Sequence, residues 1–217
     1  MERNTPDISL GIGIPTLNRY DILHPNLMLY SRDFELYNNK CKLFIVDNGN
    51  QSISFEAAEI YVPEKNLGVA ASWNYLCDRI FETCDYALIL NDDIYLGKTL
   101  NKILSLIEKK PNFLRATPDW CAFIIPKKVF QKVGRFDEIF YPAYYEDKSY
   151  EYRMKLKNIP IIKTPELNPF IYNSSKTLEK DSSILQASKT NKEKYISMWG
   201  GEPEREKFKN PYNKTYK

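Results

Sequence analysis

The chain has 217 residues, with 31 lysines and arginines against 28 aspartates and glutamates, for a formal net charge of +3. So small a charge excludes the broad basic surface that nucleic-acid binding needs, and 43% hydrophobic with 14% aromatic residues excludes a disordered chain. A chain of this length buries roughly 70% of the surface its unfolded form exposes, so one α/β domain is expected over 1–201, with 202–217 as an extended arm.

No apolar run approaches the ~20 residues that span a bilayer, and the opening MERNTPDIS has no signal-peptide apolar region. The expectation is a cytoplasmic protein whose membrane contact, through lysines near the C-terminus, is at most peripheral. Cys41, Cys77, Cys84 and Cys121 show no CxxC spacing and sit in apolar contexts, which predicts reduced core thiols and no zinc site.

The first apolar run, 8–14, reads as a strand that ends in Pro15-Thr16-Leu17-Asn18-Arg19. Its Gly11-Ile12-Gly13 is not a dinucleotide fingerprint, because Thr16 stands where the third glycine belongs and Pro15 intrudes. His24, followed by Pro25, reads as structural. A second strand, 42–46, sets the carboxylate of Asp47 at the sheet edge rather than in the core, with an Asx-type cap of the next turn as the alternative. A third strand, 60–62, precedes Asn66-Leu67-Gly68 and a helix from about Val69 to Phe81. That turn is expected to free backbone amides at the positive helix end for an anionic or polar ligand, while Trp73 reads as helix core.

The run 86–90 ends in Asn91-Asp92-Asp93. Adjacent acids repel and resist burial, so an exposed pair at a strand tip predicts a hard divalent cation with oxygen ligands; capping of the helix expected from about Thr99 to Lys109 is the structural alternative. Asp119-Trp120 leads into a strand at 121–125. Trp120 can offer an apolar face to a ligand and its indole NH to a hydroxyl, or it can pack in the core. Tyr141, Tyr144 and Tyr145 divide in the same way between ligand platform and buried wall. Glu146 and Asp147 open a helix reaching about Lys157, and such acids either cap a helix or move a proton. A last helix, about Ser182 to Trp199, stops at Gly200-Gly201. In a βαβ pattern of this kind ligands bind beyond the carboxyl ends of the strands.

Taken in order, IPTLNR, VDNGN, NLGVAASWN, LNDDI, VGRFDEIF and YEDKSYEYR, spread over roughly residues 8–155, resemble the GT-A glycosyltransferases. The likeness is to the family 2-like, small single-domain type found in bacterial polysaccharide synthesis and in capsid glycosylation by large algal viruses; the C-terminal third carries little of it. The resemblance implies a Rossmann-like, mostly parallel central sheet flanked by helices. It further implies metal-dependent, inverting transfer of a sugar from a nucleotide donor, foremost a UDP-sugar, to a hydroxyl of a glycan or glycoprotein.

By the same resemblance Pro15, Thr16, Asn18 and Arg19 hold the nucleoside, with Arg19 near phosphate, and Asp47 accepts a hydrogen bond from the base. Asn66 and Gly68 wall the base and ribose. Asn91, standing where the DxD motif has its first acid, meets a ribose hydroxyl, while Asp93 binds Mn2+ or Mg2+ directly and Asp92 directly or through water. Glu146, Asp147 and Arg153 match the family pattern EDxDLxLR, with Ser149 at its second aspartate. Asp147 is then the general base, Glu146 orients it or binds acceptor, and Asp119, Trp120 and Tyr145 belong to the acceptor side, Asp119 also being the reserve base. Two other readings stand beside this one. A catalytically silent nucleotide-sugar or glycan-binding module is suggested by Asn91 and Ser149, and a nucleotidyltransferase would ordinarily need a glycine-rich phosphate loop that IPTLNR does not provide.

Overall fold

A computed structural model describes residues 8–33, 41–95, 100–115, 120–164, 167, 172–173 and 182–214. The elements run β1 (Leu10–Thr16), α1 (Tyr20–Asp33), β2 (Lys42–Asp47), β3 (Ala58–Tyr61), α2 (Gly68–Ile80), β4 (Tyr86–Leu90), β5 (Ile94–Tyr95), α3 (Leu100–Lys109), β6 (Phe113–Arg115), β7 (Ala122–Pro126), α4 (Lys127–Val133), α5 (Glu146–Leu156), β8 (Ile161–Lys163), β9 (Tyr172–Asn173) and α6 (Ser182–Trp199).

Seven strands form one sheet in the order β3-β2-β1-β4-β7-β6-β8. Only β7 runs against the rest, pairing antiparallel with both β4 and β6, so the sheet is mostly parallel, as the sequence resemblance implied. The strands expected at 8–14, 42–46, 60–62, 86–90 and 121–125 are all present within one or two residues. Strand order reverses between β1 and β4, where the chain has finished building outward through β2 and β3 and crosses to the other side. That reversal opens a crevice at the carboxyl ends of β1 and β4, the place where such sheets bind ligands.

Alternation along β1 serves two layers. Leu10, Ile12 and Ile14 face one core with Leu23, Leu27 and Tyr30 of α1 and Ile103, Leu106 and Ile107 of α3. The opposite face belongs to a second core of Ala70, Trp73, Leu76, Cys77 and Ile80 of α2, with Val129, Phe130 and Val133 of α4 and Tyr150 and Met154 of α5. Here the two glycines of β1 have their use. A Cβ on Gly11 would stand 2.6 Å from Ile80 Cγ2, and one on Gly13 would stand 2.9 Å from Ile89 Cδ1 and 3.1 Å from Leu76 Cβ. The motif therefore makes room for a helix rather than for a phosphate. All four cysteines are buried thiols outside any disulfide, as expected.

A third, smaller core of Phe140, Tyr152, Tyr195, Met198 and Trp199 joins α5 to α6. α6 spans the residues its sequence predicts and stops at Gly200, whose φ of +76° suits glycine. The segment beyond turns back: the amides of Lys207 and Phe208 both donate to the Trp199 carbonyl at 3.0 Å, and Tyr152 donates its hydroxyl to the Phe208 carbonyl at 2.8 Å. None of the described helices is long and apolar enough to cross a membrane.

Because Ile80 is β-branched and fully buried, it cannot swing away from a new methyl. Gly11→Ala is expected to lower unfolding stability by about 1–3 kcal/mol through overpacking. The double variant Gly11→Ala/Ile80→Ala should lose less than the sum of the two singles. Urea denaturation of the four proteins tests this, and simple additivity would show that the glycines are not there for α2.

Candidate functional site

The crevice begins at the end of β1. Thr16, level in the sheet with Asp47 of β2, donates its hydroxyl to Asp92 Oδ2 over 2.7 Å, and so ties β1 to the turn after β4. Both acids of that turn are buried, Asp92 at 7% and Asp93 at 6% exposure, which corrects the expectation of an exposed pair. Burial pushes the Asp92 carboxyl up to about 6, helped by Asp93 and opposed by the Thr16 hydroxyl, Arg19 and the Leu17 backbone. α1 grips the same turn from below. Asn26 donates to the carbonyls of Asp92 at 3.0 Å and Ile94 at 3.4 Å, and the Tyr30 hydroxyl donates to the Ile94 carbonyl as well.

Arg19 is the other buried charge at this end, 2% exposed. Its Nε meets Asp21 at 3.2 Å, while its Nη1 has no hydrogen-bond partner among the described residues. A buried guanidinium nitrogen left unbonded costs free energy unless an acceptor reaches it, and a phosphate oxygen is a suitable one. Its backbone carbonyl starts α1 by accepting from Ile22 and Leu23 at 3.0 and 2.9 Å. Pro15 is half-buried within β1. Asn18, exposed at φ +55°, presses so close to Gly49 that a Cβ there would lie 2.3 Å from Asn18 Oδ1. His24 is exposed and bonds the Tyr20 hydroxyl one turn earlier in α1, at 3.0 Å.

Three expectations about this wall are corrected. Asp47 does not stand at the sheet edge: it is fully buried, and its carboxylate accepts from the Gly49 amide at 3.1 Å, the Gln51 amide at 2.7 Å and Gln51 Nε2 at 3.1 Å. Its bonds go to its own turn, as in the Asx-type alternative. Nor are the amides entering α2 free. Leu67 donates to Asn48 Oδ1 at 2.9 Å, Gly68 to Asn66 Oδ1 at 2.8 Å and Val69 to the Pro142 carbonyl at 2.8 Å, because the 141–145 loop lies across that helix end. Trp120 is not a platform. It is 1% exposed among Trp73, Phe113, Phe123 and Phe136, with its indole NH donating to Glu151 at 2.7 Å. Trp73, by contrast, is core as read. Asp119 and Thr99 lie outside the described residues.

The contacts close into a ring. The Thr16 carbonyl accepts from Asn48 at 2.9 Å, Asn48 holds Leu67 and Ser72 at the head of α2, and that head meets Pro142. From the same loop Tyr144 lies within electrostatic reach of Cys121 and Glu146, and the Cys121 carbonyl accepts from Asn91 at 2.9 Å, returning to the Asp92-Asp93 turn. Six sequence-distant segments thus frame one crevice. Gly68, at φ +75°, is required twice over, since a Cβ there would lie 2.8 Å from both the Pro142 carbonyl oxygen and the Tyr141 ring.

On the far side of the ring Glu146 and Asp147 open α5. Glu146 is 5% exposed, and its Oε2 has no partner among the described residues; burial, then the charge of Asp147, raises its pKa well above the usual range. Asp147, half-buried, is raised too, by burial against the opposing pull of Lys148. The two residues ahead of the pair, Tyr144 and Tyr145, take φ of +74° and +76°, a conformation costing about 1–3 kcal/mol per bulky residue and characteristic of functional sites. Both rings are half-buried, Tyr145 against Tyr195 at 5.5 Å. Ser149, in the place of the pattern's second acid, donates to Asp137 Oδ2 at 2.5 Å and accepts from the Trp199 indole at 2.9 Å. Arg153 reaches Asp137 at 3.3 Å and the Arg135 carbonyl at 2.7 Å.

Asp92 and Asp93 fit a hard cation in part. Among the described residues no group of three or more His, Cys, Asp or Glu could hold a metal, so the protein itself offers two adjacent carboxylates. Manganese or magnesium accepts that, taking its other oxygens from a diphosphate and water, and a cation there would relieve the charge that burial leaves on Asp92. Asn48, Gln51, Asn26 and Tyr30 also shape the site, although only their residue types, not their partners, are visible in the sequence.

No protein-family model and no curated protein matches the chain by sequence. Solved structures match its fold. The mannosyltransferase PcManGT from Pyrobaculum calidifontis, in complex with GDP-Man and Mn2+, aligns with a TM-score of 0.58 at 11% identity, over 73% of this chain and 55% of its own. S. aureus TarS aligns with a TM-score of 0.59 at 14% identity, over 72% of this chain and 35% of its own. The catalytic domain of Drosophila beta1,4galactosyltransferase 7, in complex with xylobiose, gives 0.54 at 11% identity, over 77% and 71%. The chain spans about half or less of the length of the first two. The likeness shows the GT-A-like fold that the sequence resemblance implied.

A carboxyl whose folded pKa is raised contributes stability below its unfolded value and loses it as pH rises through the folded value. Glu146→Gln is therefore expected to melt higher than the parent at pH 8, and the gap should close as pH falls below the ordinary glutamate value of about 4.3. Thermal melts of both proteins from pH 4 to 8 check this; a lower melting point for the variant at pH 8 would mean that ionised Glu146 holds the fold together.

Proposed function

We propose that this protein is a metal-dependent, inverting glycosyltransferase that moves a sugar from a nucleotide donor, foremost a UDP-sugar, to a hydroxyl of a glycan or glycoprotein, acting in the cytoplasm. The observation that carries the reading is the burial of two adjacent acids, Asp92 and Asp93, in the turn after β4, at the carboxyl end of the strand where the sheet order reverses; a second acid pair, Glu146 and Asp147, opens α5. Solved structures alike in fold include complexes with GDP-Man and Mn2+, with UDP-GlcNAc and with xylobiose, which supports nucleotide-sugar chemistry at this end of the sheet.

In this reading Thr16, Asn18, Asn66 and Gly68 line the nucleoside, Asn91 meets a ribose hydroxyl, and Asp47 serves through the turn it holds. Asp93, with Asp92 beside it, would hold Mn2+ or Mg2+, whose chemistry when bound is to neutralise the diphosphate. Arg19 Nη1 donates to a phosphate oxygen. Asp147 accepts the proton of the acceptor hydroxyl as that oxygen bonds the anomeric carbon and the bond from carbon to the diphosphate oxygen breaks, releasing the nucleoside diphosphate. Glu146, through its unbonded oxygen, orients the acceptor. The upward shift that burial gives Asp147 makes it more basic than an ordinary aspartate, the direction a general base needs.

UDP at 100 times its dissociation constant is expected to stabilise the fold by about 2.7 kcal/mol in the presence of manganese, and Asp93→Asn should remove that gain. Melting points that rise with purine nucleotides but not UDP would overturn the donor assignment. Asp147→Asn should slow transfer ~100-fold or more with UDP-sugar affinity nearly unchanged. In the parent, transfer should fall as pH drops through the raised Asp147 pKa, because a protonated carboxyl accepts no proton. Single-turnover rates decide the base: a variant transferring at parental rate would return the role to Asp119.

A further inference from the structure

We infer that Asn191 of α6, braced by Lys194, is a positioning residue for the Glu146-Asp147 pair, so that the helix outside the family-like region completes the reacting side of the crevice. The inference rests on the proposed transfer reaction and on a set of contacts that sequence reading did not single out.

Asn191 is fully buried. Its Nδ2 donates to three successive parts of the loop that carries the acids: the Ala143 carbonyl at 2.8 Å, the Tyr141 carbonyl at 3.3 Å and the Tyr144 carbonyl at 3.4 Å. Its Oδ1 accepts from Lys194 Nζ at 3.0 Å, and the same ammonium donates to the Ile139 carbonyl at 2.8 Å. One face of α6 therefore grips the chain from Ile139 to Tyr144.

That grip falls where the backbone most needs holding. Tyr144 and Tyr145 are consecutive non-glycine residues in the left-handed region, and such a turn persists only where surrounding contacts over-determine it. The first bond of α5, from the Ser149 amide to the Tyr145 carbonyl at 2.9 Å, starts from the second of them. The direction in which α5 leaves the turn, and with it the aim of Glu146 and Asp147, follows from those two φ angles. The other side of the loop is tied to α2 through the bond from Val69 to Pro142. The loop is thus strung between a helix of the donor wall and α6, and Asn191 is the α6 attachment.

Misplacing a reacting group by about 1 Å costs on the order of 100-fold in rate. Asn191→Ala is therefore expected to lower kcat for sugar transfer ~10–100-fold while donor KM and UDP affinity stay within about twofold. Lys194→Met should move kcat in the same direction by less. Asn191→Ser, which keeps a donor, should fall between Asn191→Ala and the parent, and it serves as the primary variant if Asn191→Ala does not fold. Tyr152→Phe, which loses the hydroxyl's bond to the Phe208 carbonyl while its ring stays against Trp199 of α6, is the comparison for plain destabilisation and should keep parental kcat below its melting point.

Amide hydrogen exchange of the same proteins gives a readout free of catalysis: exchange should quicken over 139–149 and stay parental over 10–16 and 86–94. Unchanged exchange at 139–149 overturns the inference, whether or not any donor supports transfer. So does quickened exchange with unchanged kcat, or an equal loss of kcat in Tyr152→Phe. Failure of the functional reading looks different, with no transfer by the parent and Asp147→Asn without effect while the exchange pattern still reports what Asn191 holds.

Discussion

The hydroxyl of Thr16 reaching Asp92 over 2.7 Å is the bond on which the crevice depends, because it lets two adjacent acids be buried at the one place where the sheet reverses direction. An ionised carboxylate out of water needs partners on its oxygens, and Asp92 finds them in the Thr16 side chain and the Leu17 backbone, both supplied by the end of β1. The turn this creates presents the Asn91 amide to Cys121 and the carbonyls of Asp92 and Ile94 to Asn26 and Tyr30 of α1. Sheet, helix and acid pair are locked together through a few polar atoms, and the apolar layers above and below hold that lock rather than create it.

What could be read in the sequence was whatever depends on residue type alone. Strands β1 to β4 are short apolar runs closed by turn residues, α6 ends in a pair of glycines, and the cysteines have no spacing that binds metal. The structure adds a reason for Gly11 and Gly13, which is the close approach of α2. β6, β8 and β9, with two or three residues each, are too short for a period to register, and Pro25 disguises α1. Local geometry stayed open where it depends on partners. Asp47 reads as a carboxylate at the sheet edge or as a turn cap until Gly49 and Gln51 fold onto it, Asn66-Leu67-Gly68 reads as an open helix end until Pro142 covers it, and Trp120 reads as a platform or as core until five other aromatic rings enclose it. Asn191 is one asparagine in a lysine-rich helix, and nothing local distinguishes it.

Ser149 is the clearest departure from the family pattern, and its surroundings make physical sense of it. Where the pattern has an acid, the serine hydroxyl sits between a donor, the Trp199 indole, and an acceptor, Asp137, which also meets Arg153. A carboxylate thus stands near this position, brought in from outside the helix. A second carboxylate within α5 would face Asp137 directly, and like charges in a buried setting raise each other's pKa and cost stability. With a serine here the position carries no charge of its own, and the negative charge beside it is that of Asp137.

The ring of contacts has an order in time as well as in space. The acids of the β4 turn end at Asp93, whereas the turn ahead of Glu146 is held by Asn191, which lies 98 residues later. At a synthesis rate of about 5–20 residues per second, with folding proceeding from the N-terminus, roughly 5–20 s separate the emergence of the two halves from the ribosome. In the proposed reaction the acids of the β4 turn therefore leave the ribosome well before the helix that steadies the turn ahead of Glu146 and Asp147, and the proposed transfer would depend on a segment made late in synthesis.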